Sequence, residues 1–543
     1  MSDEFEQLKQ WIADMALLMA KDIDIEPEQI VSFFKKPKLS LQLIDLIQSL
    51  NDDDLDNQQS YYSACIFALD ICVAQLQSAQ ESGNKLAGRL LQQLMNYMAQ
   101  AINSGKHSLG FWLPSLNAFY NVHVELSPEL SDAYLERAYC DEEPANSTQV
   151  SHLSTMKAMI AELSDLSVFD IAENFFAQSY AMPADFFADL VTDLYSIDEG
   201  HDIALLMLLH PRYDVRDIVV ATFDQLIHTL VLNSISLSRL KAIKYWYPLS
   251  YHEQFDRWIK LQRMKGAVFY QRKPAPITTI KASEVDGSGA QGIFIHFKTH
   301  KKNRICGLLL KQHLGIRDAW LTPLLSNDET SNYYNNAFED SVALRDVDKE
   351  YLFLLTNHFL ALTLKKDKIP SLHLLEIEEL LGTHFQAQWL DIDRIINTLS
   401  VQIAPFTPEM ILLSFKRSKK WIKNKRFAES WYNENANIDK LVNQCCSFVD
   451  GIKICALKKA IHTVITDELE LHRQDWLFHF LWTSLWAKTN GRKNEKIWQD
   501  SFLIAYAMHS KIPLMDIPIM HEISRETVIN SIDTMNERRT HLN

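Results

Sequence analysis

Three groups of residues in this chain have types and spacings that chemistry could use. Gly287, Gly289 and Gly292 spell G-x-G-x-x-G, and Lys311 follows at the end of LLLK. A glycine turn lets backbone N–H groups approach a phosphate closely, and a lysine can neutralise it. Glu468, His472, Asp475 and His479 recur at intervals of four, three and four. On a helix that spacing gathers two carboxylates and two imidazoles on one face, a donor set suited to a transition metal. Lys416, Arg417, Lys419, Lys420, Lys423, Lys425 and Arg426 surround Trp421 within one segment. Such a density of cations can neutralise a nucleic-acid backbone or dock on an acidic protein, including the acidic half of a second copy.

Each group also has a plainer reading. A dinucleotide fold needs a helix after the glycines, whereas IFIHF is a strand pattern. Strand, turn and strand is instead the context of a protein-kinase glycine-rich loop, with Lys311 in the place of the phosphate-contacting lysine. The likeness stops there: no DFG occurs, and with Asp475 of His472-Arg473-Gln474-Asp475 as base, Phe480 stands where a metal-binding Asn is required. The glycines therefore read as a hairpin turn using positive φ angles. The Glu468-to-His479 stripe lies opposite Leu469, Trp476 and Phe480 and reads as a solvated polar face; metal sites in bundles draw on several helices, and no H-E-x-x-H is present. In the basic segment Trp421 and Ile422 point to a core while the charges wrap the remaining circumference. With no G-x-S-x-G around Ser288, no catalytic residue, metal or cofactor is assigned.

These groups sit on elements whose pattern is clearest from Ala204 to Leu230, a short apolar helix, a turn at His210-Pro211, and a longer helix with Val215, Val219, Phe223, Leu226 and Leu230 along one face. Pro211 stops the first helix, and Asp214 and Asp217 favour the start of the second. The pattern HP-x-x-DVR resembles the junction of a HEAT repeat, which implies stacked helical hairpins. A second pair follows, with Leu237, Leu240 and Ile243, then Pro248, then Phe255, Trp258 and Ile259. The fold expected is mainly α, an α-solenoid of HEAT-like hairpins with a small antiparallel β element near 277–310 and a C-terminal helical domain. Strands are predicted at Ile277 to Ala282, Gly292 to Lys298 and Arg304 to Leu310, and a loop after Pro323. The domains expected are 1–140, 150–265, 266–322 and 323–543, with a polar boundary at 140–149.

Composition supports this. Across 543 residues, 47% are hydrophobic and 23% charged, with 14 Gly and 16 Pro, which fits a folded, helix-rich protein. Residues 1–263 hold 18 basic and 37 acidic side chains, a net of -19, leaving +4 for the rest of the total of -15. That disfavours a chain whose whole surface binds nucleic acid. The N-terminal helix, through Phe5, Leu8, Ile12, Met15 and Leu18, lacks the basic start of a signal peptide, and no membrane span is expected. Seven dispersed cysteines, with Cys445 and Cys446 adjacent and no C-x-x-C, read as reduced thiols of a cytoplasmic protein. The function expected is a non-enzymatic scaffold or adaptor with a protein partner. The alternatives are a nucleic-acid-associated factor using 416–426, and an enzyme with a nucleotide or metal site.

Overall fold

The computed structural model describes residues 3–21, 39–50, 55–81, 84–141, 152–270, 273–299, 302–338, 342–404, 407–422, 427–428, 430–449, 452–489 and 495–540. Most of them are helical, with a small antiparallel sheet, and the polar boundary expected at 140–149 falls largely outside them. The chain divides into two compact units, Met1–Met207 with Asp214–Thr222, and Leu208–Tyr213 with Phe223–Asn543.

The first unit is helical: α1 (Asp3–Ala20), α2 (Leu39–Ser49), α3 (Leu55–Glu81), α4 (Lys85–Asn103), α5 (Leu109–Asn121), α6 (Pro128–Asp141), α7 (His152–Glu162), α8 (Val168–Gln178), α9 (Phe186–Tyr195) and α10 (His201–Leu206). Side chains signal several starts. Asn84 and Ser108 accept from the first free N–H groups of α4 and α5, and Ser167 with Asp170 closes a capping box on α8. The apolar stripes then meet: Leu8, Ile12 and Met15 of α1, Cys65, Leu69, Cys72 and Val73 of α3, and Leu91, Leu94, Met98 and Ile102 of α4 share one core. By length and composition Gln59–Glu81 of α3 passes for a membrane span, at mean hydropathy 1.2, although much of its apolar face lies in that core.

Helix α11 (Tyr213–Leu226) crosses the division between the units. Val215, Val219 and Phe223 are buried as its pattern requires, but the helix stops at Leu226, and Ile227 takes the buried place expected of Leu226 and Leu230. The freed carbonyls are captured from the end of a later helix. Gln262 Nε2 donates to the oxygens of Ile227 and Leu230 at 3.1 and 3.0 Å, and Lys265 Nζ donates to those of Ile227, His228 and Leu230. The second expected pair is present as α12 (Ser234–Lys244) and α13 (Leu249–Met264), with Leu237, Leu240, Ile243, Phe255 and Trp258 buried.

The five-stranded sheet has the order β4-β3-β2-β1-β5, built from β1 (Ile277–Ala282), β2 (Ala290–Thr299), β3 (Lys302–Lys311), β4 (Gly315–Leu321) and β5 (Arg345–Asp346). Three strands were expected; β4 and β5 were not. The turn between β2 and β3 at 300–301 lies outside the described residues. The loop expected after Pro323 is corrected: Asn327–Phe338 form α14, because Ser326 Oγ accepts from Glu329 N and the Glu329 carboxylate accepts from Ser326 N. Helices α15 (Lys349–Lys365) and α16 (His373–Leu381) follow. Arg304 on β3 pairs with Glu376 of α16, and Arg239 of α12 with Glu379, so buried ion pairs fasten α16 on two sides.

Then come α17 (Ile392–Ile403), α18 (Pro408–Ser418), α19 (Ala436–Gln444), the hairpin β6 (Cys446–Val449) and β7 (Ile452–Cys455), α20 (Leu457–Val464), α21 (Arg473–Lys488), α22 (Glu495–His509) and α23 (Pro518–Thr540). The tryptophans are core: Trp476, Trp482, Trp486 and Trp498 are all buried. From α21, Trp486 Nε1 donates to Ala282 O, and Trp482 Nε1 donates to the buried Gln291, which also accepts from Tyr351 and donates to Ser283 O. The reading of every cysteine as reduced is corrected at the hairpin, where strand pairing sets Cys446 opposite Cys455 and a disulfide joins them.

Candidate functional site

The glycine turn joins β1 to β2. Asp286 organises it: its carboxylate accepts from Ala290 N at 2.9 Å and from Ser288 Oγ at 2.8 Å, while its backbone oxygen accepts from Gly289 N. Gly289 has φ +73, which a glycine adopts without strain. Gly287 is there for space, since a Cβ would lie 1.9 Å from the backbone oxygen of Ser430. Gly287 N donates to Ser430 Oγ and Gly292 N to Ser283 Oγ. Lys311 pairs with Ala290 across β2 and β3, so lysine and glycines do share one end of the sheet. The N–H groups of Gly287, Gly289 and Ala290 nevertheless meet protein acceptors, and the Asp286 carboxylate stands within the turn.

The second group does not lie on one continuous helix as its spacing had suggested. Ile465–Leu469 form a π turn carrying Glu468, His472 stands at the N-cap position of the next helix without a side-chain capping bond, and α21 begins at Arg473. The wider turn rotates the later residues relative to the earlier ones. Three of the four still meet: His472 Nδ1 is 3.1 Å from Asp475 Oδ2, and its Nε2 is 3.8 Å from Glu468 Oε1. His479 turns into the core, 2% exposed, against the rings of Trp431 and Trp476. Its Nε2 has no hydrogen-bond partner among the described residues, and burial pushes its pKa down to about 3. A residue not singled out in the sequence takes the fourth place: His313 Nε2 lies 3.8 Å from Asp475 Oδ2. Among the described residues no group of three or more His, Cys, Asp or Glu is arranged to hold a metal ion.

Gln312 brings both groups to the same end of the sheet. Its backbone N–H donates to Gly289 O at 2.8 Å, and its side-chain amide donates to Asp475 O at 2.9 Å. Trp431 Nε1 donates to Val285 O, and Asn435 Nδ2 to Glu468 Oε1. The result is an ordered series, His313, Asp475, His472 and Glu468, whose imidazoles are exposed and whose last carboxylate is buried. A carboxylate between two imidazoles can orient their rings and tautomers, so this series sets acceptors and donors side by side at one end of the sheet. The nearby hydroxyl of Ser288 is committed to Asp286.

The basic segment divides. Arg417 forms a bidentate ion pair with the buried Asp500 of α22, which raises the guanidinium pKa, and Lys419 Nζ lies 3.9 Å from Glu522. Trp421 and Ile422 are buried as expected, and Lys423, Lys425 and Arg426 lie outside the described residues. Lys416 remains exposed on the outside of α18, and Lys420 is exposed in the turn that follows it. Beside them stand Leu412 and Leu413, 64% and 50% exposed, and on α17 Val401 is 77% exposed. Sequence reasoning passed over these apolar residues, although the run Met410-Ile411-Leu412-Leu413 is too wide for one buried face.

Comparison with known proteins adds a likeness without a function. Residues 393–532 match the Y4lR C-terminal helical domain and residues 183–266 the Y4lR second domain. The chain is 25% identical over 298 residues to the uncharacterized protein y4lR of Sinorhizobium fredii (strain NBRC 101917 / NGR234), covering 54% of this chain and 55% of that one. It thus spans about half the length of the curated relative it matches. No solved structure matches. The hairpins read as HEAT-like fall within the match to the Y4lR second domain, where nothing shows a HEAT-type repeat. The exposed face of α18 and the residues Glu468, His472 and Asp475 fall within the match to the Y4lR C-terminal domain.

Proposed function

We propose that the protein is a cytoplasmic helical scaffold that holds a protein partner on the outer face of α18, its earlier hairpins stacking in a HEAT-like manner. The observation that supports this reading is the make-up of that face. Leu412, Leu413 and Lys416 are spaced one and three apart on the helix, so two exposed leucines and an exposed lysine share one stripe, and the exposed Lys420 follows in the turn after it. Solvated helix faces do not need adjacent bare leucines, and an apolar strip beside cations fits an acidic amphipathic helix.

A photocrosslinking residue at position 412 or 413 tests this in the native cell. The expected result is one discrete protein adduct, lost at the control position Leu166, which is also exposed but lies in the first unit. Diffuse labelling at both positions would count against a docking face. An adduct with nucleic acid would favour the alternative, in which Lys416 and Lys420 meet phosphates and affinity falls steeply with salt.

A further inference from the structure

Five of the seven cysteines are free. Cys65, Cys72 and Cys306 are buried, and burial pushes their thiols well above the ordinary range, to about 12 for Cys65, which keeps them protonated and inert. Cys445 is buried as well, and Cys140 stands exposed and alone. Only Cys446 and Cys455 are bonded, and both are half exposed, unlike sulfurs sealed in a core. Their position gives the bond leverage. Only Cys445 separates Cys446 from the end of α19, only Ala456 separates Cys455 from the start of α20, and both helices pack on α23. Ser531 Oγ of α23 donates to Asp439 of α19, and Ser524 Oγ donates to Ile461 O of α20, so the clamp sits over two separately anchored helices. Helix α20 runs straight into the π turn that carries Glu468.

We propose that Cys446 and Cys455 form a reversible thiol–disulfide modification site whose reactant is a dithiol. One thiolate of the dithiol attacks a sulfur of the pair, making a mixed disulfide and releasing the other cysteine as a thiolate, which takes a proton. The second thiol of the reactant then displaces the remaining cysteine, which is protonated in turn. Two electrons and two protons reside on Cys446 and Cys455, and the reactant leaves as a disulfide. Reduction removes the covalent tie between the facing ends of α19 and α20 and leaves four-residue strands to hold them.

The test equilibrates the full-length protein in graded mixtures of reduced and oxidised dithiothreitol, then alkylates it in denaturant and counts labels by mass. Wild type should pass from five labels to seven in a single two-electron transition, the same from either direction. Cys445→Ser should retain that transition. Cys446→Ser and Cys455→Ser should each carry six labels at every ratio. Hydrogen exchange on the wild type, which needs no variant to fold, should quicken over residues 452–469 on reduction. Seven labels on the wild type at every ratio would overturn the proposal, as would a transition that survives both single substitutions or unchanged exchange in the reduced protein.

Discussion

Arg417 shows how much a residue's meaning depends on its neighbour. In the sequence it is one of seven cations able to neutralise a phosphate; in the structure its guanidinium grips Asp500, a carboxylate 2% exposed whose pKa burial raises and the arginine lowers. Removing one partner of such a pair leaves a charge without compensation, at a cost of about 3–5 kcal/mol where both are buried. Arg417 is partly exposed, so Arg417→Met should cost less, about 1–3 kcal/mol. Asp500→Asn in the same chain should recover part of that loss. Urea titrations of the two single variants and the double variant measure this; strictly additive effects would show that the pair is uncoupled. Lys416→Met, on the open face, should leave the urea midpoint unchanged.

At the scale of elements, the sequence was most legible where a pattern was local. ITTIKA gathers β-branched residues between turn signals, and β1 has the expected bounds, Ile277 to Ala282. The α14 helix was missed because its polar composition reads as loop, although Ser326 and Glu329 stand at capping-box spacing. Ser326→Ala should therefore destabilise α14 by about 1 kcal/mol. The readout is faster exchange of its first-turn amides, and unchanged exchange would place the start of the helix under other control. The hairpin β6–β7 also announces itself in sequence, since CSFV and IKIC flank Asp450-Gly451, the dipeptide of a tight turn, with a cysteine at each outer end. The candidate site was illegible for a different reason. Its two halves were each visible, but Gln312 joins Gly289 to Asp475 across a gap in the chain that no periodicity reports. From Trp476 onward α21 is buried on every side, so His479 lies inside although it keeps its helical spacing from Asp475.

For the whole molecule, charge divides more sharply than the halves of the sequence suggested. The first unit holds 11 basic and 34 acidic residues, net -23, and the second 43 and 35, net +8, together the -15 of the chain. Acid should weaken the second unit for a reason separate from that charge. His358 and His479 are pushed by burial down to about 4 and about 3. When unfolded they bind protons below about pH 6.5, so the unfolded state holds more protons from there down to the folded values, and stability falls as pH falls through that window. Each tenfold difference in proton affinity is worth about 1.4 kcal/mol, so the effect amounts to several kcal/mol. His384, raised by its bond to Glu378, acts in the opposite sense, its contribution being present at low pH and lost as pH rises through its raised value. Melting temperatures read between pH 7.5 and 4.5 should decline overall, and His479→Leu should flatten the decline; a profile level across that range would show that these imidazoles are not held neutral. The polar knot at Gln291 carries a last consequence. The indole that satisfies it, on Trp482, is made 191 residues later. A ribosome must therefore extrude the sheet long before α21 exists, and the half-finished chain lacks that cover over Gln291 for many seconds. Protease sensitivity of ribosome-bound chains stopped before Trp482 should therefore exceed that of the finished protein over the strands.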